Sequence, residues 1–286
     1  MMKYSSLNHL LTCNKQLTRY PCSVYFFLSL LVLSFNSYSQ NTTFEHSGYT
    51  NSARQVTVGW EIWYPFQYRN HQADLVGVDF EILQAILDQT NFTANYIEIP
   101  WQRNLNAIKS GFIDIAMGAS KTKERLKYSY FSEDYREEKI GLIVRKGQLS
   151  RIKLNDLSEL QGSQYKIGVE RGYYYGEQCQ QLQTQPEFNK RLIEILDIEQ
   201  GINLLLNSGV DGVLADPITI AAFEEKYQIF NMLEVHPLSI YQYKVHLMLS
   251  KKSFNKEELN RINSAINELK RSGKLQNIID KHVILR

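Results

Sequence analysis

Two nine-residue stretches of this chain have the same design. Asn106-Ala107-Ile108-Lys109-Ser110-Gly111-Phe112-Ile113-Asp114 and Asn203-Leu204-Leu205-Leu206-Asn207-Ser208-Gly209-Val210-Asp211 each carry a helix end, a Ser-Gly stop and an aspartate. Each then runs into an apolar strand. The first strand runs out at Gly118-Ala119-Ser120 and the second at Asp216-Pro217. Helix, glycine stop and strand in this order make the connections of a parallel sheet. In open α/β sheets ligands bind beyond the carboxyl ends of the strands, where both stretches place polar residues. Two such units fit two lobes facing one cleft. The pattern is also common in α/β proteins at large, so by itself the echo leaves both arrangements open.

The alternation continues on both sides of these stretches. Residues 56–59, 96–99, 113–117 and 139–144 read as strands. Asp79 is placed to cap a helix through Phe80, Leu83, Ile86 and Leu87, and Thr122 to cap one near Arg125. Later strands are expected at 166–169, 192–196, 210–215 and 245–249. Helices are expected around Cys179 and Leu182 and at 198–206, 218–227, 257–271 and 275–282. Asn255 and Glu258 have capping-box spacing for the helix that stops at Gly273.

The first 39 residues do not share this pattern. They hold Lys3, Lys15 and Arg19, no acidic residue, and an apolar run at 24–35 broken only by Ser29 and Ser34. Those 12 residues fall short of the roughly 20 needed to span a bilayer. Small residues at Ser37 and Ser39 follow, which is the order of a secretory signal peptide. Cleavage is expected after Ser39, with a membrane anchor as the alternative. Cys22 precedes the apolar run and is badly placed for lipid attachment at the cleavage site.

Removing the leader changes the arithmetic. The whole chain has 32 basic and 30 acidic residues, a net +2. Without the three leader cations the balance is 29 to 30, a net charge of −1, on 247 residues. That disfavours a nucleic-acid partner, which calls for a basic excess. Cys179 is left as a single cysteine, so no internal disulfide is expected. It is expected in the core.

The common chemical motifs are missing. The sequence has no GxxxxGK[ST] loop, no GxGxxG fingerprint and no HExxH. Gly118-Ala119-Ser120 lacks the second glycine of a nucleophile elbow. His46, His71, His236, His246 and His282 are too scattered for a metal site. No cofactor, metal or catalytic residue is expected.

Several short runs together resemble the family 3 periplasmic solute-binding proteins. They are Trp63-Tyr64-Pro65-Phe66, Leu75-Val76-Gly77-Val78-Asp79-Phe80-Glu81, Pro100-Trp101, Lys109-Ser110-Gly111 with Asp114, and Thr122-Lys123-Glu124-Arg125. Tyr130-Phe131-Ser132-Glu133-Asp134-Tyr135, Lys166-Ile167-Gly168-Val169 with Gly172, Asp211 through Asp216, and Ser272-Gly273-Lys274-Leu275 continue the match. Each run is modest; their order and spacing across 54–286 are specific. The resemblance implies the type II periplasmic binding protein fold, in which two α/β lobes, each a mixed, mostly parallel sheet flanked by helices, close by a hinge. Lobe one would be 54–143 plus 242–286, and lobe two 147–237. The crossovers would lie near Arg145-Lys146 and Ser239-Ile240-Tyr241.

The resemblance also assigns a ligand site. Arg125 would hold a ligand carboxylate, a role that suits a guanidinium fork. Asp216 would accept an ammonium and Ser120 would assist the carboxylate. Trp63 and Trp101 would line the pocket with aromatic faces. Gly172, Tyr173 and Tyr174 would open a lobe-two helix and offer backbone amides. Each position also has an ordinary structural reading: a surface arginine in a charged turn, an N-cap before Pro217, a strand-end turn, core packing. Arg103 and Arg171 add possible positive charge to the cleft, and Glu170 opposes them. Tyr173 and Tyr174 stand where the family often has Thr or Ser, and Gly118 replaces a frequent Ser. These departures point to a pocket that is more aromatic, or partly filled by tyrosine.

The function implied is capture of a small polar, amino-acid-like solute in the periplasm for an ABC permease of the inner membrane, by a monomer that is not an enzyme. Two alternatives keep the fold: a stand-alone ligand sensor, and an enzyme resembling cyclohexadienyl dehydratases.

Overall fold

The computed structural model describes residues 53–282. The expected leader, with Cys13 and Cys22, lies outside them, as does His46. The first part of the chain builds β1 (Arg54–Trp60), the short pair β2 (Tyr68–Arg69) and β3 (Leu75–Val76), and α1 (Val78–Leu87). It continues with β4 (Phe92–Glu98), α2 (Trp101–Ser110), β5 (Ile115–Ser120) and the long β6 (Ser129–Arg145). Then come β7 (Ile167–Glu170), α3 (Glu177–Leu182), α4 (Pro186–Asn189), β8 (Leu192–Ile195) and α5 (Ile198–Leu206). The last elements are β9 (Gly212–Ala215), α6 (Pro217–Tyr227), the long β10 (Leu233–Ser250), α7 (Lys256–Arg271) and α8 (Lys274–His282).

Eight strands make one sheet in the order β4-β1-β5-β10-β6-β9-β7-β8. β1 runs parallel to β4 and β5, and β7 parallel to β8 and β9. β6 and β10 pair antiparallel along their lengths, from Leu233 opposite Arg145 to Ser250 opposite Ser129. Outward from this central pair the same set occurs twice, β5-β1-β4 on one side and β9-β7-β8 on the other. The architecture is α/β with a mostly parallel sheet, as expected.

Each side has its own core on both faces. In β10, Leu247 and Leu249 pack with Ile82, Ile86 and Ile266, while Met248 points the other way to Ile108 and Ile113. In β6, Leu142 and Val144 pack with Ile167 and Phe188, while Ile143 faces Ile202, Leu205 and Val213. This is the period-two alternation of strands buried on both faces. Cys179 sits in the second side's core, and burial pushes its thiol up to about 11. The capping box at Asn255 and Glu258 forms as expected.

The sequence echo is a structural one. Asp114 Oδ2 accepts from Thr57 N at 2.7 Å, and Asp211 Oδ2 accepts from Lys166 N at 2.8 Å. In each case the aspartate ties the start of one strand to its parallel neighbour. Phe112 N donates to Ala107 O and, at the matching position, Gly209 N donates to Leu204 O.

Three local expectations are corrected. Asp79 does not cap α1: Gly77 holds the N-cap position, and Asp79 lies in the first turn with its carboxylate buried. Gly172, Tyr173 and Tyr174 do not open a helix; they form a loop, and α3 starts only at Glu177. β6 and β10 are far longer than the segments expected at 139–144 and 245–249. Their acidic and polar runs lower strand propensity locally, and cross-strand partners such as Lys244 on Asp134 offset this.

Candidate functional site

The two strands nearest the central pair on each side, β5 and β1 and, opposite, β9 and β7, end at the same place. Past β1 come Glu61 and Trp63; β5 ends in Gly118 and Ser120; past β7 come Gly172 and Tyr173; past β9 comes Asp216. These strand ends face each other across the sheet's midline, as the rule for open α/β sheets requires.

A cavity of about 10 Å³, the room of a single water, lies among Trp63, Trp101, Ser120, Arg125, Tyr173 and Tyr174. Glu61, Gln67, Met117, Gly118 and Tyr243 complete its wall. Arg125 opens a short 3-10 turn at Arg125–Lys127, its own N–H received by Thr122 Oγ1. Its side chain is only 6% exposed. Nη1 donates to Ser120 O at 2.9 Å and Nη2 to Gly172 O at 3.1 Å, and the guanidinium lies over the Trp101 ring. Among the described residues no carboxylate pairs with it, and the ionisable side chains around it are the neutral hydroxyls of Tyr128, Tyr173, Tyr174 and Tyr243. Burial therefore lowers its pKa. The arrangement is a desolvated cation that lacks a counter-anion.

Tyr173 plugs the cleft. Its ring stands edge-on to Trp63 at 6.1 Å and to Trp101 at 6.2 Å, and stacks on Tyr175. Its hydroxyl donates to Glu61 Oε1 at 2.8 Å, while Glu61 Oε2 accepts from Trp101 N at the start of α2. Gly118, with φ +72°, is required here twice over: any Cβ would come within 2.7 Å of the Trp63 ring. That explains the absence of the Ser expected from the family.

Beyond Tyr173 is a second cavity of the same size, where Glu138, Glu170, Asp216 and Thr219 meet the aliphatic side chains of Ile140, Ile198, Leu214 and Ala215 and the rings of Trp63, Tyr173 and Tyr175. Asp216 caps α6, its Oδ1 accepting from Ile218 N at 2.8 Å. Oδ2 of Asp216 and Oγ1 of Thr219 are buried and have no hydrogen-bond partner. Behind them, Arg136 grips Asp79 with two hydrogen bonds of 2.7 and 3.0 Å, and its guanidinium lies 3.8 Å from the centre of the Phe66 ring. Arg136 Nη1 reaches to 3.7 Å from Glu138, which also receives the Tyr243 hydroxyl.

The cleft is acidic. Arg103 is exposed, and Arg171 pairs with Glu194 on the surface, so neither expected cation enters it. Burial pushes Glu61 up to about 7 against its bonds to Tyr173 and Trp101. Burial likewise lifts Glu138 to about 8, with Arg136 opposing and Asp216 adding to the rise. Glu170 is raised well above its usual range by burial and by Glu61, Asp197 and Glu138. Asp216 is raised by burial, against the N–H groups of Ile218 and Lys139 and the charges of Arg136 and Lys139. Among the described residues no three His, Cys, Asp or Glu side chains stand as ligands for one metal ion.

The structure thus gathers Trp63, Trp101, Ser120, Arg125, Tyr173 and Tyr174 around one cavity, with Gly172 supplying a carbonyl to Arg125. Asp216 lies across the Tyr173 ring in the other. Sequence reading missed Glu61, Glu138, Tyr243, Thr219 and Arg136. Glu61 had a usable signal, two residues before Trp63 at a strand end. Glu138 had none, because it sits in the run Glu137-Glu138-Lys139 that reads as a solvated face.

Residues 56–284 match the family described as bacterial extracellular solute-binding proteins, family 3. A probable histidine-binding protein of Neisseria gonorrhoeae is 26% identical over 160 residues, which span 56% of this chain and 57% of that protein. An arginine-binding periplasmic protein of Mannheimia haemolytica is 22% identical over 234 residues, 81% of this chain and 92% of that one. Among solved structures, an amino acid ABC transporter substrate-binding protein of Streptococcus pneumoniae bound to L-arginine superposes with a TM-score of 0.68. It is 25% identical, and the match covers 80% of this chain and 94% of that one. Among the described residues no helix is long and apolar enough to cross a membrane.

Proposed function

The chain belongs to the bacterial extracellular solute-binding proteins of family 3, with the α/β fold of type II periplasmic binding proteins, and from that premise we propose that it captures an amino-acid-like solute between two lobes. The solute is then presented to an ABC permease of the inner membrane. Removal of residues 1–39 would release the protein to the periplasm as a monomer. The relatives matched here are named as binding proteins, and this chain is read likewise rather than as an enzyme.

The lobes proposed are 54–143 with 242–286 against 147–237. Ile140 and Leu142 already pack in the second side's core, which draws the hinge back toward Glu138.

The observation that carries this reading is Arg125. A guanidinium 6% exposed, held by two carbonyls and an aromatic face, is costly unless an anion arrives. A ligand carboxylate supplies that anion in the bidentate geometry the fork favours. Ser120 stands beside it, Trp63 and Trp101 flank it, and the unpartnered Asp216 Oδ2 lies across the cleft for an ammonium. Tyr173, with Tyr174 beside it, occupies the space between. A ligand must therefore displace Tyr173 and replace its bond to Glu61.

Calorimetric titration of the purified protein with a panel of L-amino acids tests this. Binding by at least one, weakened by about 2 kcal/mol or more in Arg125→Ala, is expected. Silence across the panel at millimolar concentration sinks the reading.

A further inference from the structure

We propose that the lysine-rich face made by the end of α2 and the two turns beside it docks this protein on an anionic phospholipid surface. The proposal goes beyond solute capture and rests on residues outside the cleft.

The argument starts from charge. The chain without its leader carries a net charge of −1, so a local excess of cations does not follow from composition. Residues 101–112, 121–128 and 250–253 nevertheless hold seven exposed lysines and arginines, besides the buried Arg125, and a single acid, Glu124, together with no other carboxylate but the C-terminal neighbour Asp114 beyond the first segment. Contacts join the three segments into one face. Lys251 N donates to Tyr128 O at 3.1 Å, and Lys251 Nζ donates to Leu126 O. Lys109 Nζ lies 5.9 Å from the centre of the Tyr128 ring, and Lys251 Nζ 5.3 Å from that of Tyr130. Gly111 packs so closely on the next turn that a Cβ there would stand 2.7 Å from Lys252 Cβ. The two acids are already engaged. Lys127, by its hydrogen bond, and Lys109, by its charge, hold the Glu124 carboxyl below its usual range, and Asp114 turns its carboxylate to Thr57 N.

Two apolar side chains project among these cations. Phe112 is 65% exposed on the turn that ends α2, and Leu126 is 38% exposed. Like charges gathered on one face repel each other until a counter-charge arrives. An anionic bilayer supplies that charge, and its interface also takes up a phenyl ring and a leucine. Six of the seven cations are lysines. Their point charges suit mobile headgroups, whereas recognition of a fixed phosphate or carboxylate favours arginine forks. Docking on this face leaves the cleft open. α2 starts at Trp101 in the cavity wall and ends at Ser110, so its ten residues carry Phe112 and Lys252 about 15 Å from the cleft.

The test is vesicle co-sedimentation of the protein without residues 1–39, which keeps every described residue. One set of vesicles is phosphatidylcholine with about one third phosphatidylglycerol, the other phosphatidylcholine alone. Binding is expected to the anionic vesicles only, and about 0.5 M salt should abolish it. Lys109→Gln, Lys127→Gln and Lys252→Gln combined should weaken binding about 100-fold, at about fivefold for each lysine. Phe112→Ser alone should weaken it about tenfold while leaving binding to soluble poly-L-glutamate unchanged. Thermal melts confirm that the variants fold, and the single exposed substitution keeps the test alive if the triple variant does not. A control triple of the same charge, Lys153→Gln, Lys190→Gln and Lys274→Gln, should keep the affinity within about threefold. Three results overturn the proposal: no binding to the anionic vesicles at low salt, equal losses in the two triple variants, or binding to poly-L-glutamate without binding to vesicles. The last would assign the face to an acidic polypeptide instead.

Discussion

Tyr173 Oη donates to Glu61 Oε1 across the cleft at 2.8 Å, joining residues that are 112 positions apart in the sequence. Together with Arg125 on Gly172 O, this bond ties the two sides of the cleft to each other. A ligand competes with that latch, since only its differential affinity for the displaced state can shift the equilibrium. Tyr173→Phe is therefore predicted to cost about 1 kcal/mol of ligand-free stability, the net value of one such hydrogen bond. The same change should tighten ligand binding by about fivefold, because the ligand no longer has to break the bond. Urea unfolding and calorimetry measure the two effects. If stability and affinity fall together, the Tyr173 hydroxyl contacts the ligand and is no latch.

The buried acids set a pH dependence. Glu61 is raised to about 7 and Glu138 to about 8, so the folded state binds protons that the unfolded chain releases near pH 4.5. The stabilisation from both groups is complete below their unfolded pKa and is lost as pH climbs through their folded values. At the acid end Glu81 and Asp134 act the other way, since their lysine partners lower their pKa and their contribution is lost on acidification. The ligand-free melting temperature is predicted to peak near pH 5 and to fall toward pH 8.5. Each kcal/mol lost corresponds to about 2–4 °C in a chain of this size. Glu138→Gln should flatten the alkaline slope. A melting temperature that rises between pH 6 and 8 would contradict this account.

Arg136 and Asp79 hold the cleft floor in place. Their side chains are 3% and 0% exposed, and the guanidinium also lies against Phe66 and Trp63. Removing one partner leaves an uncompensated buried charge, which costs about 3–5 kcal/mol. Asp79→Asn is predicted to destabilise by that order in urea. Asp79→Leu combined with Arg136→Met should recover much of the loss, because a pair replaced by apolar groups no longer carries the desolvation cost. A double variant no better than the single one would show that the charges themselves organise the fold.

The sequence revealed some features and hid others for physical reasons. Helical and strand periodicity made α5 and α7 legible nearly to the residue, because each packs one apolar face on the sheet. The extents of β6 and β10 were hidden because residues such as Glu133, Asp134, Glu137 and Lys244 look solvated when read one at a time. Their cross-strand pairing is long-range and leaves no local trace. The positions of Arg125, Trp63 and Trp101 in the cleft were reached through the family's motifs. The acidic compartment was not, since Glu138 and Glu170 meet only once β6 and β7 are brought together at β9. Asp79 was misread because its neighbours match a cap, while its partner Arg136 lies 57 residues away.

The echoed units differ in one instructive place. Gly111 adopts φ 84° after α2, and the aligned residue after α5 is Ser208, at φ 61°, rather than the glycine that follows it. A side chain in the left-handed region costs roughly 1 kcal/mol, which glycine avoids. Ser208→Gly is therefore predicted to stabilise the protein, by up to about 1 kcal/mol, with unfolded-state entropy offsetting part of the gain. Gly111→Ser should do the reverse and more, because its Cβ would stand 2.7 Å from Lys252 Cβ in addition to the strained φ. Chemical denaturation of the two variants side by side measures both shifts. The two aspartates, whose bonds to Thr57 and Lys166 correspond, should by contrast respond alike: Asp114→Ala and Asp211→Ala should each lose about 1–3 kcal/mol by leaving a backbone N–H unpaired. Opposite signs at the turn and equal losses at the aspartates would show that the two units share their strand register while differing in the stop. A stabilising Gly111→Ser would mean the left-handed turn is not what ends α2.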